Sequence, residues 1–305
     1  MQDKKSITII AIIIIVVIFG FYFSKDKTKK VELTDSATSS STAVTADTNI
    51  EMATSTLLGD EELGKDQTSN ESDEQPTVEK PYKYIEVIKS CGIHFEGVCV
   101  NMRSGPGTKY PIFVGLRTGI VLRVSETVKD ETGMEWHKIA FVNPLIYPER
   151  VKGDLYVAAP YVKVFYNEGN KVAVDKSKGP ITKKIVINVT EQMLYAYDGD
   201  ELFMKESVST GLKDTPTKVG EYSVYKKTPS RYMQGSDKGE EDQFYDLPGV
   251  PWNLYFTYEG DVIHGAYWHD SFGRPWSHGC VNLLPSSARK LYEWAVVGTP
   301  VSVIN

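Results

Sequence analysis

The chain has 305 residues, with 34 Lys and Arg against 40 Asp and Glu, for a formal net charge of −6. That length accommodates two ordinary domains plus accessory segments. The charge is segregated: residues 1–30 carry +4, residues 31–80 carry −10, and residues 81–305 balance, which argues against the clustered positive surface of a nucleic-acid-binding protein.

The first element is an uncharged apolar run over residues 7–23, ITIIAIIIIVVIFGFYF. At 1.5 Å per residue it spans about 25 Å, enough to cross a bilayer core with flanking lysines reaching outward. Ser24-Lys25-Asp26 makes a poor cleavage site, so residues 1–30 are expected to be an uncleaved, single-pass anchor. Lys25, Lys27, Lys29 and Lys30 outnumber Lys4 and Lys5, and this count alone favours a cytoplasmic C-terminal side. Large domains translocate regardless of such charge, and the chemistry below belongs outside the cell, so an extracytoplasmic catalytic domain at the cell membrane is expected. Residues 31–80 hold no aromatic residue and are dense in Ser, Thr, Asp and Glu. They cannot bury enough apolar surface to offset ordering, and read as a disordered, self-repelling linker.

Residues 81–166 read as short strands: YKYIEVIK, GVCVNMR, IFVGLRTGIVLRVSE, EWHKIAFV and GDLYVAAPYVKVF, bounded by Gly, Pro, Asn and Asp. Cys91 and Cys99 lie close together here while Cys280 stands apart. A Cys91–Cys99 disulfide would leave Cys280 as the free thiol; the alternative is two buried thiols. The stretch from Val100 through Asn101-Met102-Arg103-Ser104-Gly105-Pro106-Gly107 to Pro111, with Gly119, Trp136 and Leu155-Tyr156-Val157, resembles a bacterial SH3-like domain. The resemblance implies a small β-barrel that binds wall material or spaces a catalytic domain. His94 and His137 read as surface or core residues of this module.

Residues 167–182 form a polar connector, with breakers at Gly169-Asn170 and Gly179-Pro180. Residues 183–305 return to strands: KIVINVT, MLYAYD, ELFMKESVST, GEYSVYKK, NLYFTY and DVIHGAY. One helix is expected over residues 285–295, with Pro285 in its first turn, where a missing N–H costs nothing. Residues 299–304 read as a final strand. The fold class expected for the whole chain is mainly β: an N-terminal transmembrane helix, a disordered linker, a small SH3-like barrel, and a mostly antiparallel β-sandwich with one helix. Residues 228–252 read as a long insertion suited to a lid, with Tyr232, Met233 and Trp252 as candidates to line it.

The chemistry concentrates at Ser277-His278-Gly279-Cys280-Val281-Asn282, with His264 upstream; three of the five histidines, His264, His269 and His278, fall in this stretch. A thiol attacks as its thiolate, so Cys280 needs a neighbour that takes its proton and can return it to a leaving amine. His264 is the candidate. His269 reads as an exposed loop residue. A zinc site built from the three histidines and Cys280 is disfavoured, because His278 and Cys280 stand too close in sequence for the usual ligand spacing and no Cys-x-x-Cys partner exists. No metal or cofactor is expected.

His264, then Ser277-His278-Gly279-Cys280-Val281-Asn282, together with Thr210-Gly211, Thr215-Pro216-Thr217-Lys218-Val219-Gly220-Glu221-Tyr222 and residues 248–256, resembles the L,D-transpeptidase catalytic domain of bacterial cell-wall enzymes. The resemblance implies Cys280 as nucleophile, His264 as proton acceptor and donor, and Gly265 as a backbone carbonyl orienting the imidazole. It implies oxyanion contacts from the backbone of His278, Gly279 and Cys280, and loop support from Ser277 and Asn282, with Asn282 and Gly265 also near substrate. The implied reaction is attack on the third residue of a peptidoglycan stem peptide, release of D-alanine, and capture of the thioester by an amine of a neighbouring stem. Hydrolysis by the same site, or a non-catalytic wall-binding anchor, are the rival readings. The expected partners are stem peptides and the membrane, with no nucleic acid, and the expected state is a monomer.

Overall fold

The computed structural model describes residues 81–141, 144–171, 179–236 and 244–305, all within one compact unit, Asp73–Asn305. The apolar run and the acidic linker lie outside the described residues. Among those described, no helix is long and apolar enough to cross a membrane.

The first module contains β1 (Tyr82–Val87), β2 (Val100–Arg103), β3 (Ile112–Leu116), β4 (Val121–Lys129), β5 (Glu135–Ala140), β6 (Tyr156–Ala158) and β7 (Val162–Asn167). They pair in the order β3-β2-β6-β5-β4-β1-β7. The expected closed barrel is therefore replaced by an open sheet with β3 and β7 at its edges. The run at residues 112–126 breaks into two strands around Gly119, whose φ of +92° turns the chain between them. Cys91 and Cys99 are joined as a disulfide, and Cys91 is fully buried.

The second module contains β8 (Lys183–Asn188), β9 (Met193–Asp198), β10 (Glu201–Ser207), β11 (Gly220–Ser223), β12 (Lys226–Ser236), β13 (Phe244–Tyr255), β14 (Val262–Gly265), β15 (Val281–Leu283), α1 (Pro285–Trp294) and β16 (Pro300–Ile304). These make two sheets, β10-β9-β8-β16-β11 and β12-β13-β14-β15. The sandwich is mostly antiparallel, but β16 runs parallel to β8 and β15 runs parallel to β14. The second of these parallel seams carries the candidate site.

The core between the sheets is built from Ile185, Leu194, Val208, Leu254, Ile263, Val281 and Leu291. Helix α1 enters it through Ala288, Leu291 and Tyr292, which recur on one face. Fully burying a leucine such as Leu291 contributes about 1.5–3 kcal/mol. Pro285 opens the helix with no side-chain cap before it. Its last carbonyls are met by two lysines: Lys227 Nζ donates to Tyr292 O at 2.6 Å and Ala295 O at 2.5 Å, and Lys183 Nζ donates to Trp294 O at 2.8 Å. Burial pulls the Lys227 ammonium down to about 8, with Lys171 and Lys183 adding repulsion.

Residues 228–252, expected as a loop, are largely two paired arms, β12 and β13, in register from Lys226↔Tyr255 to Ser236↔Phe244. Pro229 is tolerated because β12 is the edge of its sheet, and the register slips between Arg231 and Met233. The hairpin packs against the first module. Ser230 Oγ donates to Val121 O at 2.5 Å, and Arg289 Nη1 of α1 meets Glu86 Oε2 of β1 at 2.8 Å. Val250, Tyr267 and Met233 join Ile85, Val87 and Leu122 in one apolar cluster. The two modules therefore share a buried joint and are not beads on a string.

Candidate active site

Parallel pairing of β14 with β15 sets Ile263 against Val281 and His264 against Asn282. Extending that register by one residue brings Cys280 level with Val262, two positions along the seam from His264. Alternation along a strand puts Val262 and His264 on one face, and Cys280 and Asn282 face the same way on the neighbouring strand. Cys280 thus immediately precedes a strand that neighbours the strand of His264, although the chain between the two residues makes a long excursion.

His264 is 1% exposed. Its Nδ1 lies 3.1 Å from the Gly265 carbonyl, which can only accept, so Nδ1 carries the proton and Nε2 presents a bare lone pair. Nε2 is buried with no partner in the protein. Burial drives the imidazole down to about 4, with the Gly265 bond opposing and Arg231 and His269 adding to the fall. Burial also raises the Cys280 thiol above its ordinary value, with the Val262 backbone and Arg231 pulling the other way and Asp261 adding to the rise. The resting pair is neutral thiol and neutral imidazole. Gly265 is required by space: a Cβ there would meet Pro251 Cγ and Pro285 Cα, both at 2.9 Å.

The loop before Cys280 is held from two sides. Ser277 Oγ donates to Cys280 O at 2.5 Å and receives the Gly279 N–H at 3.2 Å. Thr217 Oγ1 donates to Gly279 O at 2.7 Å and receives the Gly211 N–H at 2.9 Å. The Leu212 N–H reaches Ser277 O at 2.8 Å, and the Trp276 and Ser277 N–H groups share Thr210 O at 2.9 and 3.0 Å. Gly279 adopts φ +122°, and a Cβ there would lie 2.5 Å from Asp261 Oδ1. The glycine thus admits both a left-handed turn and a carboxyl group beside the nucleophile. His278 is exposed, with its ring stacked 6.2 Å from that of Tyr245 on the hairpin.

Asn282 and His269 form the floor. His269, expected in an exposed loop, is 4% exposed. Burial lowers it to about 4, against a smaller opposing pull from Asp270. Its Nδ1 accepts the Ser271 N–H at 3.1 Å, so a neutral ring carries its proton on Nε2. The Asn282 amide faces that Nε2 through Nδ2 at 2.8 Å, while its Oδ1 has no partner. An acceptor is needed there, and flipping the amide turns its oxygen toward the ring. Asn282 is a strut beneath the seam: its main chain also exchanges bonds with Ser209 at 2.9 and 3.0 Å.

The three lid candidates lie where the hairpin packs on the first module. Trp252 is 2% exposed and packs 5.3 Å from both Phe165 of β7 and Tyr292 of α1. Tyr232 lies edge-on to Phe141 at 4.9 Å and, with Arg150, Asp246 and Phe113, borders a cavity of about 420 Å³ at the joint. Met233 packs with the same joint cluster. Their shared physical reason is the hairpin's docking on the first module, which buries these rings and thioether. Three groups near Cys280 escaped the sequence reading: Arg231, Asp261 and Thr217. The only signal for them was position, Arg231 beside the flagged Tyr232 and Thr217 inside the quoted Thr-Pro-Thr stretch. Among the described residues, no three His, Cys, Asp or Glu gather as metal ligands would.

Comparison with known proteins gives a family match within the second module. Residues 182–303 match the family model YkuD, the L,D-transpeptidase catalytic domain. The solved Ldtfm–avibactam carbamoyl enzyme is similar at 25% identity, covering 41% of this chain and 49% of that one, with a TM-score of 0.37. This chain thus spans about half of that relative. An L,D-transpeptidase from Mycobacterium smegmatis is similar at 17% identity, covering 56% and 91%, with a TM-score of 0.38. A mutant of the Enterococcus faecium L,D-transpeptidase is similar at 24% identity, covering 40% and 50%, with a TM-score of 0.37. No curated protein sequence matches the chain. The likeness therefore rests on the family match, in which residues 182–303 are similar to the L,D-transpeptidase catalytic domain of the YkuD family.

Proposed function

We propose that the protein is a peptidoglycan L,D-transpeptidase working through a Cys280 thioester. The observation that supports this reading is the parallel seam: it pairs the strand that follows Cys280, the only free thiol among the described residues, with the strand that carries the buried His264 imidazole and its bare Nε2. His264 takes the thiol proton as sulfur attacks the carbonyl carbon of the third stem residue. Backbone N–H groups of the His278–Cys280 turn steady the oxyanion, a role in which one donor is worth about 3 kcal/mol. The C–N bond breaks, His264 protonates the departing amine of D-alanine, and a thioester remains. The amine of a second stem then attacks, and sulfur leaves with a proton returned through His264. Entry of water in place of that amine would make the same site a carboxypeptidase. The apolar run at residues 7–23 would hold the enzyme to the membrane, with the acidic linker letting it reach the wall, and the first module, read as SH3-like, would orient it there.

The test is incubation of a defined disaccharide-tetrapeptide with the full chain, with products weighed by mass spectrometry. D-Alanine release with a new cross-linked dimer is expected, and Cys280→Ala should abolish both. Unimpaired release by Cys280→Ala refutes the reading.

A further inference from the structure

A second set of groups on the same sheet is left with nothing to bind. Tyr255 on β13 pairs with Val262 on β14, the residue level with Cys280. On its other side Tyr255 pairs with Lys226 of β12. Two cations lie against the Tyr255 ring: Lys226 Nζ at 4.9 Å and the Arg231 guanidinium at 5.6 Å from its centroid. Tyr255 is 7% exposed, and its hydroxyl has no hydrogen-bond partner. Arg231 Nη1 is likewise buried without an acceptor. Among the described residues no carboxylate pairs with either cation.

A buried phenol and a buried guanidinium nitrogen without acceptors, with a second, half-buried cation on the same ring, are an unusual combination. An unpaired buried donor costs about 1–3 kcal/mol, and more when charged. Placing two like charges on one ring adds repulsion, and burial together with Arg231 holds the Lys226 ammonium below its ordinary value. An anion would relieve all of this at once. A planar carboxylate fits a guanidinium fork, with ammonium and phenol as flanking donors.

We propose that Arg231, Lys226 and the Tyr255 hydroxyl form a carboxylate subsite beside Cys280 that grips the free C-terminus of the donor peptide. This rests on the acyl-transfer reading of Cys280. The placement sets which carboxylate it is. Tyr255 stands two strand spacings, about 10 Å, from the Cys280 backbone. The cysteine side chain and the attacked carbonyl occupy part of that span. One further residue, about 3.5 Å long, brings a terminal carboxylate to the cations. A donor with one more residue, or with a capped end, misplaces or loses the anion. The subsite thus makes the enzyme act one residue from a free chain end.

The experiment compares a stem tetrapeptide ending in free D-alanine with its C-terminal amide. Binding of each to the full chain carrying Cys280→Ala is measured by calorimetry. The acid should bind at least about tenfold more tightly. Adding Arg231→Gln or Lys226→Met should shrink that ratio to less than about twofold, with melting curves confirming the fold. Equal affinities for acid and amide, or no binding of the acid, overturn the subsite. So does a ratio that survives both substitutions, or dependence on a carboxylate of the acceptor instead. If neither variant folds, the acid-to-amide ratio of the parent chain decides alone. Release of D-alanine by the chain with Cys280 intact is followed in parallel. Its absence sinks the acyl-transfer reading, whereas the binding ratio is read without catalysis.

Discussion

The protonation state of the Cys280–His264 pair can be worked from its surroundings. The imidazole titrates at about 4, and burial holds the thiol above its ordinary 9.0. That gap of at least about five units puts charge separation about 7 kcal/mol uphill at about 1.36 kcal/mol per unit. Attraction between the separated charges returns at most about 4 kcal/mol, the value for contact at about 4 Å and an effective dielectric near 20. The neutral pair wins by at least about 3 kcal/mol, so a resting thiolate–imidazolium pair is populated below about one part in a hundred. The measurement is the rate of Cys280 alkylation by iodoacetamide from pH 4 to 10, alongside thiolate absorbance near 240 nm. Reactivity should rise with pH across the whole neutral range with no plateau. A plateau between pH 5 and 8 with an acid limb near 4, or full thiolate absorbance at pH 7, would refute the reasoning.

Three further outcomes are expected. Removing the Arg231 charge, as in Arg231→Gln, should move the alkylation profile of Cys280 to higher pH, since that cation favours the thiolate; an unmoved profile contradicts its placement. Gly265→Ala must push against two prolines and should cost about 1–3 kcal/mol, seen as a lower midpoint in urea, with turnover reduced because the carbonyl orienting His264 moves. His264 and His269 both sit at about 4 when folded against an ordinary 6.5, so the unfolded chain binds protons first as pH falls. Their stability is complete above pH 6.5 and is lost as pH falls toward 4, by up to about 3 kcal/mol each, so denaturant midpoints that stay flat over that window would exclude buried neutral rings.

The local features were legible in sequence and the long-range ones were not. The helix at Pro285 announced itself through proline placement and an apolar face. The cysteine loop was legible because glycine, serine and histidine around one thiol carry specific chemistry. His269 gave no such sign: a histidine between Trp268 and Asp270 has no periodicity to mark it as buried, and only the bond to Asn282 reveals its place. Proline and glycine made residues 228–252 look like loop, and an edge strand absorbs those residues. The two parallel seams join segments far apart in the chain, which no local pattern encodes. Arg231 carries no local sign of its place, and only strand pairing brings it against Tyr255.

Strand β16 lies inside its sheet, between β8 and β11. Its neighbour β8 is made at the start of the catalytic domain, yet its slot stays open until residues 300–304 emerge. During synthesis the nascent domain must therefore wait with two strand edges bare, a state prone to mispairing. Sealing that gap is a late, non-local event, so maturation of the enzyme should be slow and should fail abruptly when those few residues are clipped.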